Sequence, residues 1–411
     1  MNTTGWLASM LDTLRRPTTA SEVEQAARIG AGFRGPKRVV FVVNNDRSFL
    51  SHRATWGVAL QAAGATVTVI AQDTGEADAV RSLGFTFIGV PVGREASSAL
   101  AMAKSAALIL VALLRIRPSL VYLSAQVAYT LGWPAAVVLR RATFIRVAGG
   151  VGRALDPTML KTRASRVVQL SGHLAGMLGN VFTLFQTEFD RETFVRHGLL
   201  PAPERSLVIP GTGIDVNAWQ GDGGREFEHP VILFASRLYR EKGVREFVEA
   251  AEKLRGRGWR FQVAGAPDPG VGSTVTAEEL ERWRHDGAVE ILGHCADMAP
   301  ILAGATLFVL PTRHPEGTPK VLIEAGAAGL PAVVSGHPGC SAVIEQGVTG
   351  IVLEPEPTVP ELAMAIEALA SDAFASRAMG AAARDRISAL FSLESVLSRL
   401  LEWKAVGAVR S

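Results

Sequence analysis

The feature that most limits what this chain can become is an alternation. Short runs rich in valine and isoleucine are each followed by a stretch with helical spacing. Runs that are apolar at successive positions suit strands buried on both faces. Strands separated by helices form parallel sheets through βαβ crossovers. In the first half the expected strands are Arg38–Val43, Thr66–Ala71, Phe85–Val90, Leu120–Leu123, Thr143–Val147 and Val181–Phe185, with helices such as His52–Ala63 and Leu160–Leu178 between them. The second half restarts with Val231–Ala235, Arg260–Ala264, Val289–Leu292, Leu307–Leu310, Ala332–Val334 and Ile351–Leu353. Its expected helices are Val244–Leu254, Ala277–His285 and Lys320–Ala328, then three more near 358–370, 374–389 and 392–405.

Between the two series, residues 201–229 hold Pro201, Pro203, Pro210 and the polar cluster Gln220–Gly224, which reads as an interdomain linker. A chain of 411 residues is also too long for one ordinary core. The expectation is α/β class: two doubly wound domains with ligand beyond the carboxyl ends of the strands.

Composition excludes several classes. With 48% hydrophobic and 20% charged residues the chain is globular rather than disordered. Cys295 and Cys340 make no metal spacing, the eight histidines form no HxH or HExxH cluster, and no DxD-like pair is present, so no metal site is expected. Two incidental thiols fit a cytoplasmic protein. In MNTTGWLASMLDTLRR the charge follows the apolar part, the wrong order for secretion. The apolar stretch Ser97–Leu114 is interrupted by Lys104 and is not expected to span a bilayer.

The net charge of +3 hides an asymmetry: residues 1–215 carry +9 and residues 216–411 carry −6. The basic half has a focus in Arg140, Arg141, Arg146, Arg153, Lys161, Arg163 and Arg166, with Asp156 the only acid among residues 140–166. Such a patch attracts a phosphorylated substrate or an anionic membrane, or is merely a solvated surface. No aromatic interleaving or recognised module accompanies it, so nucleic acid is not an expected partner. Trp6, Leu7, Met10, Leu11 and Leu14 share one helical face before Arg15 and Arg16. That face suits a membrane surface, or packing on its own domain.

Two segments carry chemistry. After the strand Val231–Ala235, Arg237 and Lys242 flank a strand-to-helix turn, where backbone amides and two cations can neutralise a diphosphate. After Leu307–Leu310 comes Pro315-Glu316-Gly317-Thr318-Pro319-Lys320-Val321-Leu322-Ile323-Glu324-Ala325. Here Pro319 suits a first helical turn, and Glu324 lies in an apolar helix, where a carboxylate is costly without a partner.

Arg237, Lys242, Glu316 and Glu324, with seven residues between the glutamates, resemble the signature of glycosyltransferase family four, the retaining GT-B enzymes. VILFASRL, ILAGATLFVLPT, EGTPKVLIEAGAAGLPAVVS and GVTGIVLEP carry the same resemblance over about 230–356. Phe49–Arg53, Gly149–Gly152, Gln186–Asp190 and Ile209–Asp215 resemble bacterial transferases that extend polyprenyl-diphosphate-linked sugars, although Gly149–Gly152 reads GGVG where many relatives have a histidine or Gly-Leu-Gly.

The resemblance implies two Rossmann-like domains facing a cleft. Their expected limits are a helical extension over 1–35, an acceptor domain over 36–210, a donor domain over 211–390 and a C-terminal helix over 391–411 crossing back. It implies that Arg237 and Lys242 bind the donor diphosphate, that Glu316 holds donor-sugar hydroxyls and that Glu324 holds the ribose. Gly317, Thr318 and Leu322 would offer amides to phosphate, and His294 would border the base. The donor is a nucleoside-diphosphate sugar, with UDP expected, and neither cofactor nor metal is required. On the acceptor side, His52, Arg94, Lys104 and Gly150 are candidates to meet a lipid-diphosphate-linked sugar. His52 reads equally well as a structural residue, and Arg94 and Lys104 as surface charges. Peripheral contact with the inner face of the cytoplasmic membrane would follow. A soluble transferase with a small-molecule acceptor shares every donor residue, and a non-catalytic nucleotide-sugar-binding homologue is the third reading.

Overall fold

The computed structural model describes residues 18–92, 98–149, 170, 172–219, 229–267, 273–313 and 317–407. The chain divides into two compact units, one built from Pro17–Gly213 with Leu393–Ser411 and the other on Ile214–Ser392.

The first unit holds a parallel seven-stranded sheet in the order β3-β2-β1-β4-β5-β6-β7. The strands are β1 (Arg38–Asn45), β2 (Thr66–Gln72), β3 (Thr86–Gly89), β4 (Leu120–Ser124), β5 (Thr143–Ala148), β6 (Val181–Phe185) and β7 (Ser206–Val208). One face packs Phe41, Phe49, Trp56 and Tyr122 against Leu393, Val396, Leu397 and Leu400 from the helix Leu393–Glu402. The other packs Val40, Val42, Val121 and Leu123 against Ile109 and Leu113 of the helix Ala99–Ile116 and Ala135 and Ala136 of the helix Ala135–Val138. Strands apolar on both faces are what helices on both sides require.

Two expectations need correction here. The stretch 201–229 is not all linker, because β7 pairs with β6 through Leu184 and Leu207; residues 220–228 lie outside the described part. The helix expected over His52–Ala63 is two helices, Asp46–His52 and Ala54–Ala62, meeting at Arg53 with φ −132°. The break turns the Arg53 side chain inward, 4.3 Å from the Trp56 ring centroid, where Nη1 donates to the His52 carbonyl at 2.8 Å. Of the helix expected over Leu160–Leu178, residues 160–169 and 171 lie outside the described part, as does the helical face Trp6–Leu14.

Asp46, fully buried, fixes the loop after β2 to the end of β1. Its carboxylate accepts from the amides of Arg47, Thr74 and Glu76, at 2.8, 2.8 and 2.9 Å, and from the Thr74 hydroxyl. Burial pushes its pKa up, but the bonds from Thr74, Glu76 and Arg47 together hold it below the usual carboxylate value. A group depressed in the folded state stabilises fully above the unfolded value of about 4, and that stability is lost as pH falls through the folded value. Asp46→Asn is therefore expected to cost roughly 2 kcal/mol at neutral pH. Urea titrations between neutral and acid pH check this: the gap between variant and wild type should close as the solution is acidified.

The second unit holds a parallel six-stranded sheet in the order β10-β9-β8-β11-β12-β13. Its strands are β8 (Val231–Ala235), β9 (Arg260–Ala264), β10 (Glu290–Gly293), β11 (Leu307–Leu310), β12 (Ala332–Ser335) and β13 (Gly350–Leu353). Phe234, Phe247 and Phe261 form a chain of ring contacts at the sheet face. Capping boxes at Thr276/Glu279 and Thr358/Glu361 start the helices Ala277–Asp286 and Val359–Ser371 where polar residues precede apolar periodicity. Among the described residues no helix is long and apolar enough to cross a membrane.

Candidate functional site

In the second sheet the strand order reverses between β8 and β11. All six strands are parallel, so the loops that follow them leave from one edge, and a crevice opens where the order reverses. The loop after β8 carries Arg237, a short 3-10 turn over Arg240–Lys242 and Gly243, and then enters the helix Val244–Lys253. The loop after β11 runs through Thr312 and Arg313 and, beyond residues 314–316, through Gly317, Thr318 and Pro319 into the helix Lys320–Ala327.

The two loops are tied together by backbone. The Glu241 carbonyl accepts from the Arg313 amide at 2.7 Å and from the Thr312 hydroxyl at 3.2 Å. Gly243, at φ +77°, passes so close to Pro311 that an added Cβ would lie 2.0 Å from its carbonyl oxygen. The contact allows no side chain, and the left-handed backbone favours none. Arg313 is itself held by Glu246 at 2.9 Å and Glu356 at 3.0 Å, and these bonds raise its pKa above the usual arginine value.

On this frame Arg237 is exposed, its guanidinium 4.8 Å from the Tyr239 ring centroid and donating from Nη1 to the Tyr239 hydroxyl at 3.1 Å. Lys242 is half-buried on the 3-10 turn. Glu324 is buried in the second turn of its helix, with Lys320 Nζ 3.9 Å from Oε1. A helical side chain leans toward the helix N-terminus, so this carboxylate sits by the helix opening. Arg237, Lys242, Gly317 and Thr318 thus belong to two loops that the fold ties together, and Glu324 to the helix that the second loop enters, while Glu316 lies outside the described residues.

Two details differ from expectation. Pro319 is the N-cap rather than a first-turn residue, and its carbonyl takes the Leu322 amide at 3.1 Å. That amide is engaged within the helix, and the Leu322 side chain is fully buried. The amides that a helix start leaves over are those of Lys320 and Val321. His294 follows β10, the edge strand, with β9 between it and β8. Burial alone pushes its imidazole below the usual histidine range.

In the first unit, Arg94 and Gly150 lie outside the described residues. His52 is half-buried and ends the helix Asp46–His52. Lys104 stands on the outward face of the helix Ala99–Ile116. Arg146 is a correction to the basic patch: it is only 4% exposed, between the rings of Tyr129 at 4.1 Å and Phe194 at 4.5 Å. Its Nη2 donates to Gln126 Oε1 at 2.9 Å. Arg53 donates from Nε to the Ser124 hydroxyl at 3.3 Å, so the two arginines grip the turn that joins β4 to the next helix. Ala125 in that turn has φ +80°, a conformation costly for a side-chain-bearing residue. Neither guanidinium meets a carboxylate among the described residues, and burial lowers both pKa values, that of Arg53 to about 10. Sequence reading missed this pair because the aromatic partners of Arg146 come from distant segments.

Residues 229–372 match the family described as Glycosyl transferases group 1. Glycogen synthase from Mycobacterium tuberculosis is 30% identical over 46% of this chain and 46% of its own length. The N,N'-diacetylbacillosaminyl-diphospho-undecaprenol alpha-1,3-N-acetylgalactosaminyltransferase of Campylobacter jejuni is 34% identical over 30% of this chain and 31% of its own. The matches span less than half the length of these two curated relatives. Among solved structures, HepE from Anabaena in complex with UDP is 16% identical and aligns with a TM-score of 0.72 over 89% of this chain and 98% of its own. The fold is GT-B, two Rossmann-like domains. The family match lies within the second unit, which carries both tied loops, and the likeness to the solved structures is one of fold.

Proposed function

We propose that this protein transfers a sugar from a nucleoside-diphosphate sugar, with UDP as the expected nucleotide, to an acceptor hydroxyl with retention of anomeric configuration. The observation that carries the reading is the pair of tied loops at the β8/β11 reversal. One carries Arg237 and Lys242, and the other leads into the helix that buries the carboxylate Glu324. As the C1–O bond to the diphosphate breaks, charge grows on the departing phosphate oxygens, and two fixed cations stabilise it there. The acceptor hydroxyl oxygen forms the new bond at C1 from the same face, and its proton passes to the departing phosphate oxygen. Glu316 is assigned to the sugar hydroxyls and Glu324 to the ribose. The match to a group 1 family and the UDP-bound HepE neighbour support the donor class.

A polyprenyl-diphosphate-linked sugar is the proposed acceptor, supported by the Campylobacter jejuni relative whose name specifies one. Work at the inner face of the cytoplasmic membrane follows from it.

Thermal shift across a panel of nucleotide sugars tests the donor class, because a bound donor raises the melting temperature by mass action. Release of nucleoside diphosphate should then require the lipid-linked acceptor, and the product anomer reports retention. Glu324→Ala is expected to weaken UDP binding about thirtyfold, the worth of a hydrogen bond to a charged group. Unchanged affinity by calorimetry would remove Glu324 from the site.

A further inference from the structure

We infer that the outer layer on one side of the first sheet is a docking surface for an anionic lipid bilayer. It deepens the membrane part of the proposed function but stands on different residues, all in the first unit.

The helix Ala99–Ile116 buries Ile109 and Leu113 against the sheet, as a covering helix should. Its opposite face should then be polar. Instead it exposes Leu100, Leu108, Val111 and Leu114, with Leu100 81% exposed. The helix Ala135–Val138 packs Ala135 and Ala136 on the same side of the sheet and exposes Val137 and Val138, the latter 58%. Leu174 and Met177, neighbours of the buried Ala175 in that core, are exposed as well. A helix with large apolar residues on its outer as well as its inner face is ordinarily a core element or one in contact with lipid, and none of the described residues covers this face.

Charge names the occupant. Between Glu95 and Asp156 the sequence has no acidic residue and seven lysines or arginines. Five of them, Lys104, Arg115, Arg117, Arg140 and Arg141, are exposed, and none meets a carboxylate among the described residues. Lys104 and Arg115 share the outward face with the leucines, so their stems can lie along apolar surface while the charges reach phosphate. A second copy of the chain fits poorly, since a two-fold contact would set these cations against themselves. Anionic headgroups over acyl chains satisfy both halves of the pattern.

The test uses the full chain sedimented with vesicles of phosphatidylcholine, alone or mixed with phosphatidylglycerol. Binding is expected only to the anionic vesicles and should be released by salt. Each basic residue near such a surface is worth about fivefold in affinity, so Lys104→Glu with Arg115→Glu should lose at least about twenty-five-fold. Leu108→Glu with Val111→Glu should lose binding as well. Both sites are exposed, and circular dichroism and UDP affinity should match wild type. Absence of anionic-vesicle binding, or equal binding by both variants, overturns the inference. So does concentration-dependent dimerisation abolished by Leu108→Glu with Val111→Glu, which would make a second copy the occupant. UDP affinity is read separately, so failure here leaves the donor assignment standing, and failure of Glu324→Ala leaves this surface standing.

Discussion

Lys242→Ala is expected to lower kcat about a thousandfold with little change in KM for the donor, a loss of about 3–4 kcal/mol in transition-state stabilisation. The charge on a leaving diphosphate is greatest when the bond is breaking, so a cation facing it acts mainly on kcat. Lys242 lies on a 3-10 turn whose middle residue, Glu241, is bonded through its carbonyl to the loop after β11. The backbone that carries the ammonium is therefore held in place before the reaction begins. Lys242→Arg keeps the charge and should recover part of the rate, while its planar fork fits a point-charge position imperfectly. Steady-state kinetics with a circular dichroism control decides the matter. A kcat within tenfold of wild type for Lys242→Ala would show that the diphosphate is stabilised elsewhere.

The second large effect is on the frame itself. Gly243→Ala places a methyl 2.0 Å from the Pro311 carbonyl oxygen, a backbone atom that cannot swing aside. Gly287, at φ +64°, supplies the control, because an added Cβ there meets nothing within 4 Å. Gly287→Ala should cost only the left-handed backbone penalty of about 1–2 kcal/mol. Gly243→Ala should cost that plus the clash, about 4 kcal/mol or more. It should also weaken UDP binding, whereas Gly287→Ala leaves binding intact. Paired urea titrations and UDP calorimetry measure both. Equal losses in the two variants would mean that the β11 loop yields to the extra carbon and the two loops are not rigidly joined.

Much of the second sheet was legible because its strands are continuous apolar runs. Val231–Ala235, Arg260–Ala264 and Leu307–Leu310 stand where the periodicity put them. β7 escaped because three partly exposed residues, Ser206–Val208, carry no period, and their pairing depends on β6. The break at Arg53 escaped for another reason. Its causes, Trp56 and Ser124, include a residue 71 positions away. Charge misled at Arg146: arginine reads as surface until Tyr129 and Phe194 close over it. The residues proposed for the donor side stand out in the sequence as types at a spacing. What the spacing could not hold is the carbonyl of Glu241 bridging two loops, since any residue supplies a carbonyl. The exposed leucines of Ala99–Ile116 were hidden similarly, because an apolar helix reads alike whether its outer face is covered or bare.

The first unit takes Leu393, Val396, Leu397 and Leu400 into the same core as Phe41 and Trp56. In topological terms the second unit is an insertion, threaded between Gly213 and Leu393 of its host. During synthesis the host must wait: its sheet is complete at β7, yet one face of its core lacks part of its cover until some two hundred further residues have been made. The inserted unit, one stretch of chain among the described residues, can close first. A fragment ending at Gly213 would thus present bare aromatic core to solvent, and the nascent host is the species that most needs chaperone protection.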